Sequence, residues 1–490
     1  MARFNHVMLI NPTYSYTLFT TPVVPVGIGY IAESLNARGI GYSVLDMTLG
    51  YSFADLEKHI RRIKPDLIGI SMMSLMYREH YRMANFIKGR FPLIPVVVGG
   101  PHVSSCREAV LTDCSSIDFG ILQEGEFSLP ALCEGKNVEA IPGLLYRAGS
   151  GIACSTEPID AVNLDALPFP KYEHFELSKY GFGISIVSSR GCPYRCIYCS
   201  AHAIRNKFRA RTAGNVVDEM EYWYGRGYRE FDFQEDNPTF DQLRLLELCD
   251  QIEKRGLRDV MIMCGNGIRA DRINRQLLKR MKEVGFKRLA FGVEAGNDRI
   301  LKNIKKGESI DVIKNAIRDA CDLGFFVSLF FVVGAPGETA KDVEDSMNIA
   351  LSYPISHVNF FNLIPLPRTE LFEWVHKNNY FILKPEIYLN LGSSLQMGCQ
   401  PVFATPEFSR SERVAVLRRT KKIERFIKKR TIENKFKSLY PFNKLIGWLY
   451  MRPEIQKVEI LLMRHPLYRK TIGFIKRRVR DSFYKDDILG

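Results

Sequence analysis

Short unbroken apolar runs alternate with amphipathic stretches over the first 135 residues of the chain. The amphipathic stretches carry apolar residues at helical spacing, whereas the runs between them have the length of strands. Strands without polar alternation are typical of parallel sheets that helices cover on both faces. The pattern predicts an α/β fold that begins with a Rossmann-like, doubly wound parallel sheet, with strands at His6–Ile10, Tyr42–Leu45, Leu67–Ile70, Val96–Val98 and Phe119–Leu122.

Polar residues and glycines follow these predicted strands. In open parallel sheets, ligands bind at the carboxyl ends of the strands, and glycines there let a bulky ligand approach the backbone. The G-x-G-x-x-G dinucleotide fingerprint is missing after the first strand, which disfavours a nicotinamide or flavin cofactor. The candidate binding residues at this edge are Pro12, Thr13, Ser71, Met72, Ser74, Gly99, Gly100, His102, Glu124, Gly125 and Glu126.

A second set of strands and helices follows a linker that is rich in turn signals, including Gly-Ser-Gly at 149–151. Six further apolar runs, separated by helical patterns, predict a partial (β/α)6 TIM-like barrel with its chemistry at the strand carboxyl ends. Those runs are Ile184–Ser188, Glu230–Gln234, Val260–Cys264, Arg288–Gly292, Phe325–Val333 and His357–Leu363. The predicted organisation is a sheet domain at 1–140, a linker at 141–180, the barrel at 181–400 and an α-helical region at 401–490.

Composition places the chain among ordinary globular proteins, with 46% hydrophobic and 25% charged residues. No apolar run reaches the roughly 18 residues of a membrane span, and the first residues lack the pattern of a secretory signal, so we expect a cytoplasmic protein. The net charge of +14 is concentrated at one end, because residues 410–490 hold 23 Lys and Arg against eight Asp and Glu. A neutral catalytic body with a basic appendage matches this distribution.

The basic tail combines apolar positions at helical spacing, such as Phe442, Leu445, Ile446 and Leu449, with clusters of Lys and Arg. Two interpretations stay open. The apolar stripe packs on the barrel and the charge is solvated, or the tail lies on an anionic membrane surface as a peripheral contact. Nucleic acid is disfavoured as a partner, because the aromatic residues fall on the apolar stripes and not among the basic clusters.

Three cysteines follow the first barrel strand with C-x3-C-x2-C spacing: Cys192, Cys196 and Cys199. Three thiolates in one short loop can hold a metal centre. Zinc would need a fourth ligand, for which His202 is a candidate, although structural zinc ligands usually come in two separated pairs. An iron–sulfur cluster with three cysteine ligands leaves one iron open to substrate, which is a catalytic arrangement, and the spacing favours it.

This triplet, C-x3-C-x-aromatic-C, resembles that of the radical S-adenosylmethionine (radical SAM) superfamily, and five further segments resemble it in the same order. Those segments are residues 231–240, 267–271, 291–296, 333–339 and 364–369. Joined to such a barrel, the N-terminal sheet resembles the cobalamin-binding domain of the cobalamin-dependent members. The motif Asp-x-His-x-x-Gly, which supplies a histidine to cobalt, is absent; Thr48 stands at the histidine position after Asp46.

The resemblance implies three cofactors: a [4Fe-4S] cluster on the three cysteines, S-adenosylmethionine on its open iron, and cobalamin on the N-terminal sheet. It implies that Tyr198 packs near the adenine and that the segment with Gln234, Glu235, Asp236 and Asn237 holds the methionine amino group. Arg269 would bind the methionine carboxylate or pair with Asp271, and Glu294 would bind ribose or form an ion pair. Pro336 belongs to the fifth segment, and His102 would line the cobalamin without binding cobalt.

The implied reaction is reductive cleavage of S-adenosylmethionine to a 5′-deoxyadenosyl radical, followed by C-methylation of an unactivated carbon through methylcobalamin. Its partners would be a small-molecule or lipid-like substrate and an electron donor such as flavodoxin or ferredoxin. A cobalamin-dependent cyclisation or rearrangement without methyl transfer stays open. Two further alternatives stay open. One is a methylthiotransferase acting on tRNA or protein, which would need a second cluster on cysteines such as Cys106, Cys114 and Cys133. The other is a zinc-binding interaction protein. The motifs leave the substrate and the oligomeric state undefined.

Overall fold

Two sheets and a helical C-terminal segment make up the part of the chain that the computed structural model describes: residues 3–12, 22–158, 163–181, 183–204, 207–392, 397–452 and 454–455. The strands are β1 (His6–Asn11), β2 (Gly41–Asp46), β3 (Leu67–Ser71), β4 (Val96–Gly99), β5 (Phe119–Ile121), β6 (Leu144–Ala148), β7 (Gly151–Cys154), β8 (Gly183–Ile186), β9 (Ser189–Arg190), β10 (Arg209–Ala210), β11 (Glu230–Phe233), β12 (Met261–Ile268), β13 (Phe286–Glu294), β14 (Phe326–Val333) and β15 (His357–Asn362). The helices are α1 (Val26–Asn36), α2 (Phe53–Ile63), α3 (Tyr77–Arg90), α4 (Pro101–Cys106), α5 (Ala109–Asp113), α6 (Gly125–Cys133), α7 (Ser200–Ile204), α8 (Ala213–Gly225), α9 (Gln242–Lys254), α10 (Arg275–Glu283), α11 (Asp298–Asn303), α12 (Ile310–Asp322), α13 (Ala340–Ser352), α14 (Glu370–Lys377), α15 (Pro385–Tyr388), α16 (Arg410–Lys435) and α17 (Phe442–Tyr450).

The N-terminal sheet has the strand order β2-β1-β3-β4-β5-β6-β7, and its first five strands are parallel. Alternate residues of its apolar strands enter two separate cores, one on each face: Leu9 and Val97 belong to one, Met8 and Val98 to the other. Burial on both faces explains why these strands carry no polar alternation. The predicted doubly wound sheet is confirmed, with its chain reversal between β1 and β3.

The N-terminal sheet extends beyond residue 140, where the sequence predicts a linker. Strands β6 and β7 form an antiparallel hairpin on β5, with Leu144 opposite Ile121. Leu144 and Leu145 are fully buried, so the hairpin completes the sheet's apolar core. A tight turn at Gly149, which has φ of +57°, is enough to join antiparallel strands, whereas a further parallel strand would need a crossover helix. The linker therefore begins after Cys154.

The second sheet is the predicted six-stranded partial barrel, in the order β15-β14-β13-β12-β11-β8, and all its pairs are parallel. Buried phenylalanines such as Phe231, Phe331 and Phe360 face the surrounding helices. The residues between them, including Asp232 and Phe330, face the barrel lumen and are only half-buried. All six predicted barrel strands are confirmed, and their carboxyl ends form one mouth.

Helix α16 covers the free edge of β15, the last strand of the barrel. Glu424 accepts the backbone N–H of Phe360 (2.8 Å), and Lys421 donates to the Phe360 carbonyl (3.4 Å). Near the start of the strand, Arg430 donates to the carbonyls of Tyr353 and Ile355 at 3.0 and 3.1 Å. These side chains bond backbone groups that an exposed edge strand would offer to another chain.

Helix α17 packs on α16 through a face that the sequence did not predict. Asn443 and Gly447 are buried there, and the Asn443 amide donates to the Glu433 carbonyl of α16 (3.1 Å). The predicted apolar stripe points outward instead, and Phe442 is 66% exposed. A small residue at 447 allows the close helix contact, because a Cβ there would lie 2.7 Å from Glu433 Cγ. Within the described residues, the stripe therefore does not pack on the barrel. The sequence predicts a second apolar stripe at Tyr468, Ile472, Ile475 and Val479, which lies outside the described residues.

No helix of the described residues is long and apolar enough to cross a bilayer.

Candidate active site

The three thiols of the C-x3-C-x2-C motif lie in the loop between β9 and α7, at the carboxyl end of the barrel. Two backbone bonds fix this loop to the barrel: Ile197 N–H donates to the Ile304 carbonyl (3.1 Å), and the Ile197 carbonyl accepts from Leu371 N–H (2.9 Å). The loop is thus tied to chain segments that follow β13 and β15. This attachment holds the cysteines over the barrel mouth.

The carboxylates of Glu235 and Asp236 bind the backbone that leads into Cys192. Glu235 accepts the N–H groups of Ser188 and Ser189, the latter at 2.6 Å, and the Ser188 hydroxyl at 2.7 Å. Asp236 accepts Gly191 N–H at 3.2 Å. Both Glu235 oxygens are therefore used within the protein, which gives this carboxylate a positioning role. Asp236 keeps one oxygen outside that contact, and its predicted binding of the methionine ammonium stays a prediction.

The cysteine site combines three half-buried thiols with an amide donor. Burial raises the pKa of Cys192, Cys196 and Cys199, that of Cys199 to about 12, and the thiols influence one another. The buried Asn237 side chain lies beside Cys192 and lowers the pKa of that thiol against the larger effect of burial, so its amide can donate to a cluster sulfur. Among those residues no three potential ligands converge on a single metal ion. A four-iron cluster does not require such convergence, because each cysteine binds a separate iron.

Two buried cations, Arg269 and Lys306, lie next to the cysteine site and lower the pKa of Cys196 against the larger effect of burial. Lys306 contacts Glu294 and Glu308, each at 3.4 Å. Arg269 forms a two-pronged pair with Asp271 (3.0 and 3.0 Å) and donates to the Lys306 carbonyl (2.7 Å). Three thiolates bring three negative charges to this site, and these cations partly neutralise them.

The other residues predicted for S-adenosylmethionine surround the same mouth. Burial, and then the neighbouring Glu294, raise the pKa of Tyr198. Gln234 donates to Asp232 on the lumen side of β11, and the Pro336 carbonyl, after β14, accepts from the Asn303 amide (2.8 Å). The structure thus brings residues from the ends of five strands together. Their contacts with the cofactor stay predictions.

A cavity of about 210 Å³ lies at the carboxyl edge of the N-terminal sheet, between the strands and helices α1 and α6. Five glycines line it. A Cβ at Gly69 would lie 3.1 Å from Leu9 Cδ2, and one at Gly100, where φ is +104°, would lie 2.8 Å from the Met72 carbonyl oxygen. Of the predicted residues, the cavity is lined by Ser71, Gly99, Gly100, Glu124, Gly125 and Glu126.

The remaining residues predicted for this cavity lie beside it. His102 is buried against α3, where it stacks on Tyr77 at 4.9 Å and hydrogen-bonds Tyr81 at 3.2 Å; Ser74 lies 3.4 Å from its other ring nitrogen. Met72 is fully buried in the core on the α3 face, and Pro12 is buried at the end of β1. Thr13 lies outside the described residues. Contacts of this group with a cofactor stay predictions.

The loop that carries histidine in other cobalamin-binding domains is closed here by Asp46. This carboxylate accepts the backbone N–H (2.9 Å) and the hydroxyl (2.6 Å) of Thr48, the Asn11 amide (3.0 Å) and the Tyr180 hydroxyl (2.8 Å). Thr48 therefore stabilises the loop internally. In agreement with the sequence motif, this loop supplies no histidine to a metal.

An ion-pair network, which the sequence analysis missed, connects the two sites. Arg190, two residues before Cys192, pairs with Glu126 (2.7 Å) and Glu124 (3.2 Å), and Arg209 pairs with Glu124 (2.7 Å). Tyr30 of α1 lies against the Arg190 guanidinium at 4.8 Å. The two predicted cavity carboxylates therefore also anchor the cysteine loop. No sequence spacing could reveal this pairing. The sequence analysis also missed Gly69 as a cavity residue, although a glycine inside a strand is a signal of close approach by a ligand.

The residues present fit all three implied groups: three thiols with nearby cations for an iron–sulfur cluster, strand-end polar groups for S-adenosylmethionine, and a glycine-lined cavity for part of a large corrinoid. Comparison with known proteins agrees. The model of the radical SAM superfamily matches residues 186–350, and the model of the B12 binding domain matches residues 18–133. The chain belongs to the cobalamin-dependent radical SAM enzymes.

Relatives and solved structures extend this comparison. The chain is 28% identical over 373 residues to the uncharacterized methyltransferase PH0819 of Pyrococcus horikoshii, covering 73% of this chain and 80% of that protein. It is 26% identical to the hopanoid C-3 methylase of Methylococcus capsulatus, with 71% and 70% covered. The radical SAM methyltransferase TsrM of Kitasatospora setae, solved with cobalamin and a [4Fe-4S] cluster, matches with a TM-score of 0.67 at 20% identity, over 78% of this chain and 79% of TsrM. The cobalamin-dependent radical enzyme OxsB matches with 0.71 at 16% identity, over 97% of this chain and 75% of OxsB. At these identities the two structures support the fold.

Proposed function

We propose that this enzyme transfers a methyl group to an unactivated carbon of its substrate. One observation carries the proposal: a single ion-pair network, through Arg190, joins the glycine-lined corrinoid cavity to the loop that bears the three cysteines. A corrinoid and an S-adenosylmethionine site tied together in this way can act on one substrate between them. Methyltransferases among the relatives support the same assignment.

When bound, the cluster supplies the electron that cleaves S-adenosylmethionine, and the corrinoid supplies the methyl group. The chain's own residues bind and orient these groups. Cys192, Cys196 and Cys199 hold the cluster, while Glu235 and Asp236 keep the preceding backbone in place. Arg269 and Lys306 balance the negative charge of the thiolates, and the buried Asn237 amide is placed to donate to a sulfur.

A cyclisation without methyl transfer is the second candidate, because the chain is also 27% identical to the anaerobic magnesium-protoporphyrin IX monomethyl ester cyclase of Rubrivivax gelatinosus. A methylthiotransferase is disfavoured. Its second cluster would have to use cysteines such as Cys106, Cys114 and Cys133. Cys114 and Cys133 lie in the cores on opposite faces of the N-terminal sheet, so these three cannot share a cluster.

Product analysis separates methyl transfer from cyclisation. Anaerobically reconstituted enzyme would be incubated with cobalamin, S-adenosylmethionine, a strong reductant and candidate substrates. Methyl transfer consumes one S-adenosylmethionine as the radical source and a second to recharge the corrinoid, so 5′-deoxyadenosine and S-adenosylhomocysteine should form together. Formation of 5′-deoxyadenosine with turned-over substrate but without S-adenosylhomocysteine would support the cyclase and contradict the proposal.

We further propose that a lipid-like substrate is reached at an anionic membrane surface. The outward face of α17 and its approaches expose large apolar side chains: Phe426, Leu439, Tyr440, Phe442, Leu445, Trp448 and Leu449. Lys437 and Lys444 lie between them in the sequence, and Arg452 follows them. An apolar face with basic residues at its rim is suited to an interface with anionic lipids. Flavodoxin or ferredoxin would supply the electron.

Vesicle flotation tests this contact at low and high salt. Full-length protein should bind vesicles that contain anionic lipid, and Phe442→Ser/Leu445→Ser should reduce the bound fraction. The control Leu243→Ser changes a leucine on α9 that is more exposed than Leu445 and lies outside this face. Equal flotation of both variants and the wild type, or no binding at low salt, would contradict the membrane proposal.

A further inference from the structure

A second cavity, of about 640 Å³, lies at the opposite end of the barrel, between the amino half of β15 and helix α16. It is lined by His357, Val358, Asn359, Lys422, Glu424, Arg425, Phe426, Lys428, Lys429 and Met451. No residue predicted for the cofactors is among them. The cavity therefore belongs to neither cofactor site.

The charge of this cavity is strongly positive. Lys422, Arg425 and Lys428 pair with no acidic residue among those the structure describes, and Lys429 reaches Glu433 at 3.5 Å. The one carboxylate in the lining, Glu424, is already engaged by Lys421 at 2.7 and 2.9 Å and by the Phe360 N–H. Four cations thus surround a space that offers them no free anion, an arrangement that a bound anion would stabilise.

The amino half of β15 places this cavity far from the cysteine site. His357 and Asn359 lie there on alternate positions of the strand, and Arg288 and Lys428 both lower the pKa of His357 after the larger effect of burial. Farther along, Phe330 and Phe361 meet edge to face at 5.6 Å. From His357 to Asn362 the strand advances about 16 Å, so the cavity and the barrel mouth are separate sites.

We propose that this basic cavity binds the phosphoryl group of an amphipathic phosphoester, at a site separate from the cofactors. The inference goes beyond the proposed function, because neither cofactor site contributes a residue to the cavity. A phosphoryl group carries up to two negative charges and several acceptor oxygens, which suits a set of Lys and Arg better than a single carboxylate does. Phe426, Met451 and Val358 supply an apolar wall next to the cations.

Equilibrium dialysis with dodecyl phosphate, below its micellar concentration, tests the site on the full-length holoenzyme. Wild type should bind it, and Lys422→Gln/Arg425→Gln should bind it at least tenfold more weakly. The matched control, Arg410→Gln/Arg418→Gln, removes two charges from the same helix at exposed positions outside the cavity and should bind within twofold of wild type. An equal loss in both variants, or no binding by wild type, would overturn the inference.

A parallel arm distinguishes a lipid head group within a membrane from a free phosphoester. Flotation with vesicles containing phosphatidic acid should depend on Lys422 and Arg425 if the head group enters the cavity. Vesicle binding without any binding of monomeric dodecyl phosphate would overturn the cavity site. Formation of 5′-deoxyadenosine by the wild type, measured separately, reports on the proposed function. Absence of dodecyl phosphate binding by a wild-type protein that forms this nucleoside therefore contradicts this inference alone.

Discussion

The barrel mouth and the cavity of the N-terminal sheet hold their cofactors by different physical means. At the mouth, three thiols, two carboxylates that bind backbone and two buried cations supply charged and covalent ligands. The sheet cavity has glycines and apolar strand residues, and its two carboxylates are paired with Arg190 and Arg209. One site therefore selects its ligand by bonding and the other chiefly by shape.

This difference determines how each site responds to mutation. Removing one thiolate leaves an iron without a ligand, so a single change can abolish the cluster. Shape recognition is spread over many contacts, so a substitution that fills the cavity should weaken binding in proportion to the volume it takes. The Arg190 network couples the sites, and its variants should disturb both to a smaller extent.

Cys196→Ala should produce the largest effect, because it removes one of three iron ligands from the mouth and nothing from the sheet cavity. The cluster and 5′-deoxyadenosine formation should both fall below detection, while cobalamin still binds. Iron analysis, nucleoside chromatography and the corrinoid spectrum check this. The control Cys321→Ala, on α12 and remote from the mouth, should keep the cluster and form 5′-deoxyadenosine. Formation of this nucleoside by the Cys196 variant would contradict the assignment of the three cysteines.

Glu235→Gln should weaken the cysteine loop from within. The change leaves Arg244, which donates to the Ser188 hydroxyl at 2.9 Å, without its buried carboxylate neighbour. Breaking such a buried arrangement costs about 3 kcal/mol in the free energy of unfolding, and cluster content should fall with it.

Denaturant unfolding and iron content measure these two effects. Glu221→Gln, which loses only an exposed pair with Arg255, is the control and should cost less than about 1 kcal/mol. If the Glu235 variant unfolds like this control and retains its full iron content, the loop does not depend on the carboxylate.

Gly69→Val should act on the sheet cavity, because its Cβ would lie only 3.1 Å from Leu9 Cδ2 and the added side chain has to take its space from the cavity. Cobalamin should bind at least about tenfold more weakly, which corresponds to about 1.4 kcal/mol, while iron content stays normal. Titration of the corrinoid spectrum measures the change. Gly89→Val on α3, where no atom lies within 4 Å of the added Cβ, is the matched control. Unchanged cobalamin affinity in the Gly69 variant would mean that the cofactor lies elsewhere.

Arg209→Lys should have the smallest effect and should sharpen the comparison. Lysine keeps the charge but loses the two-pronged contact with Glu124 at 2.7 and 3.1 Å, so that carboxylate is held less firmly at the cavity wall. Cobalamin affinity should fall about two- to fivefold. Arg38→Lys, at an exposed pair with Glu134, should leave it unchanged. If the Arg209 variant loses iron but keeps the cobalamin affinity of the wild type, its contact with Glu124 does not support the cavity wall.

The sequence alone predicts most of the fold, because each strand's burial leaves a local signature. Continuous apolar runs locate the five parallel strands of the first sheet and all six of the barrel, since both sheets are covered by helices. The hairpin of β6 and β7 is missed because Gly149 and Gly151 signal a turn without showing that two strands flank it. The orientation of α17 stays open in the sequence, because periodicity identifies an apolar stripe but not what it packs against. Asn443 and Gly447 give a closer approach to α16 than that stripe would.

The candidate site is predictable where chemistry requires particular residues at fixed spacing. The three cysteines and the acidic segment after β11 stand out for that reason. The pairing of Arg269 with Asp271, one of the two alternatives given for Arg269, is local and is formed. Contacts between distant segments leave no such trace: Glu235 is occupied by Ser188, and Arg190 pairs across the two sheets with Glu126. These pairings depend on the tertiary structure, and no local pattern encodes them.

Mössbauer spectroscopy of protein reconstituted with ⁵⁷Fe, before and after addition of S-adenosylmethionine, tests the central claim most directly. Three thiolates on a four-iron cluster leave one iron without a cysteine ligand. The account predicts about four irons per chain and a changed signal from one of the four when S-adenosylmethionine is added. A spectrum that S-adenosylmethionine leaves unchanged, or a protein that binds a single metal ion at these cysteines, would contradict it.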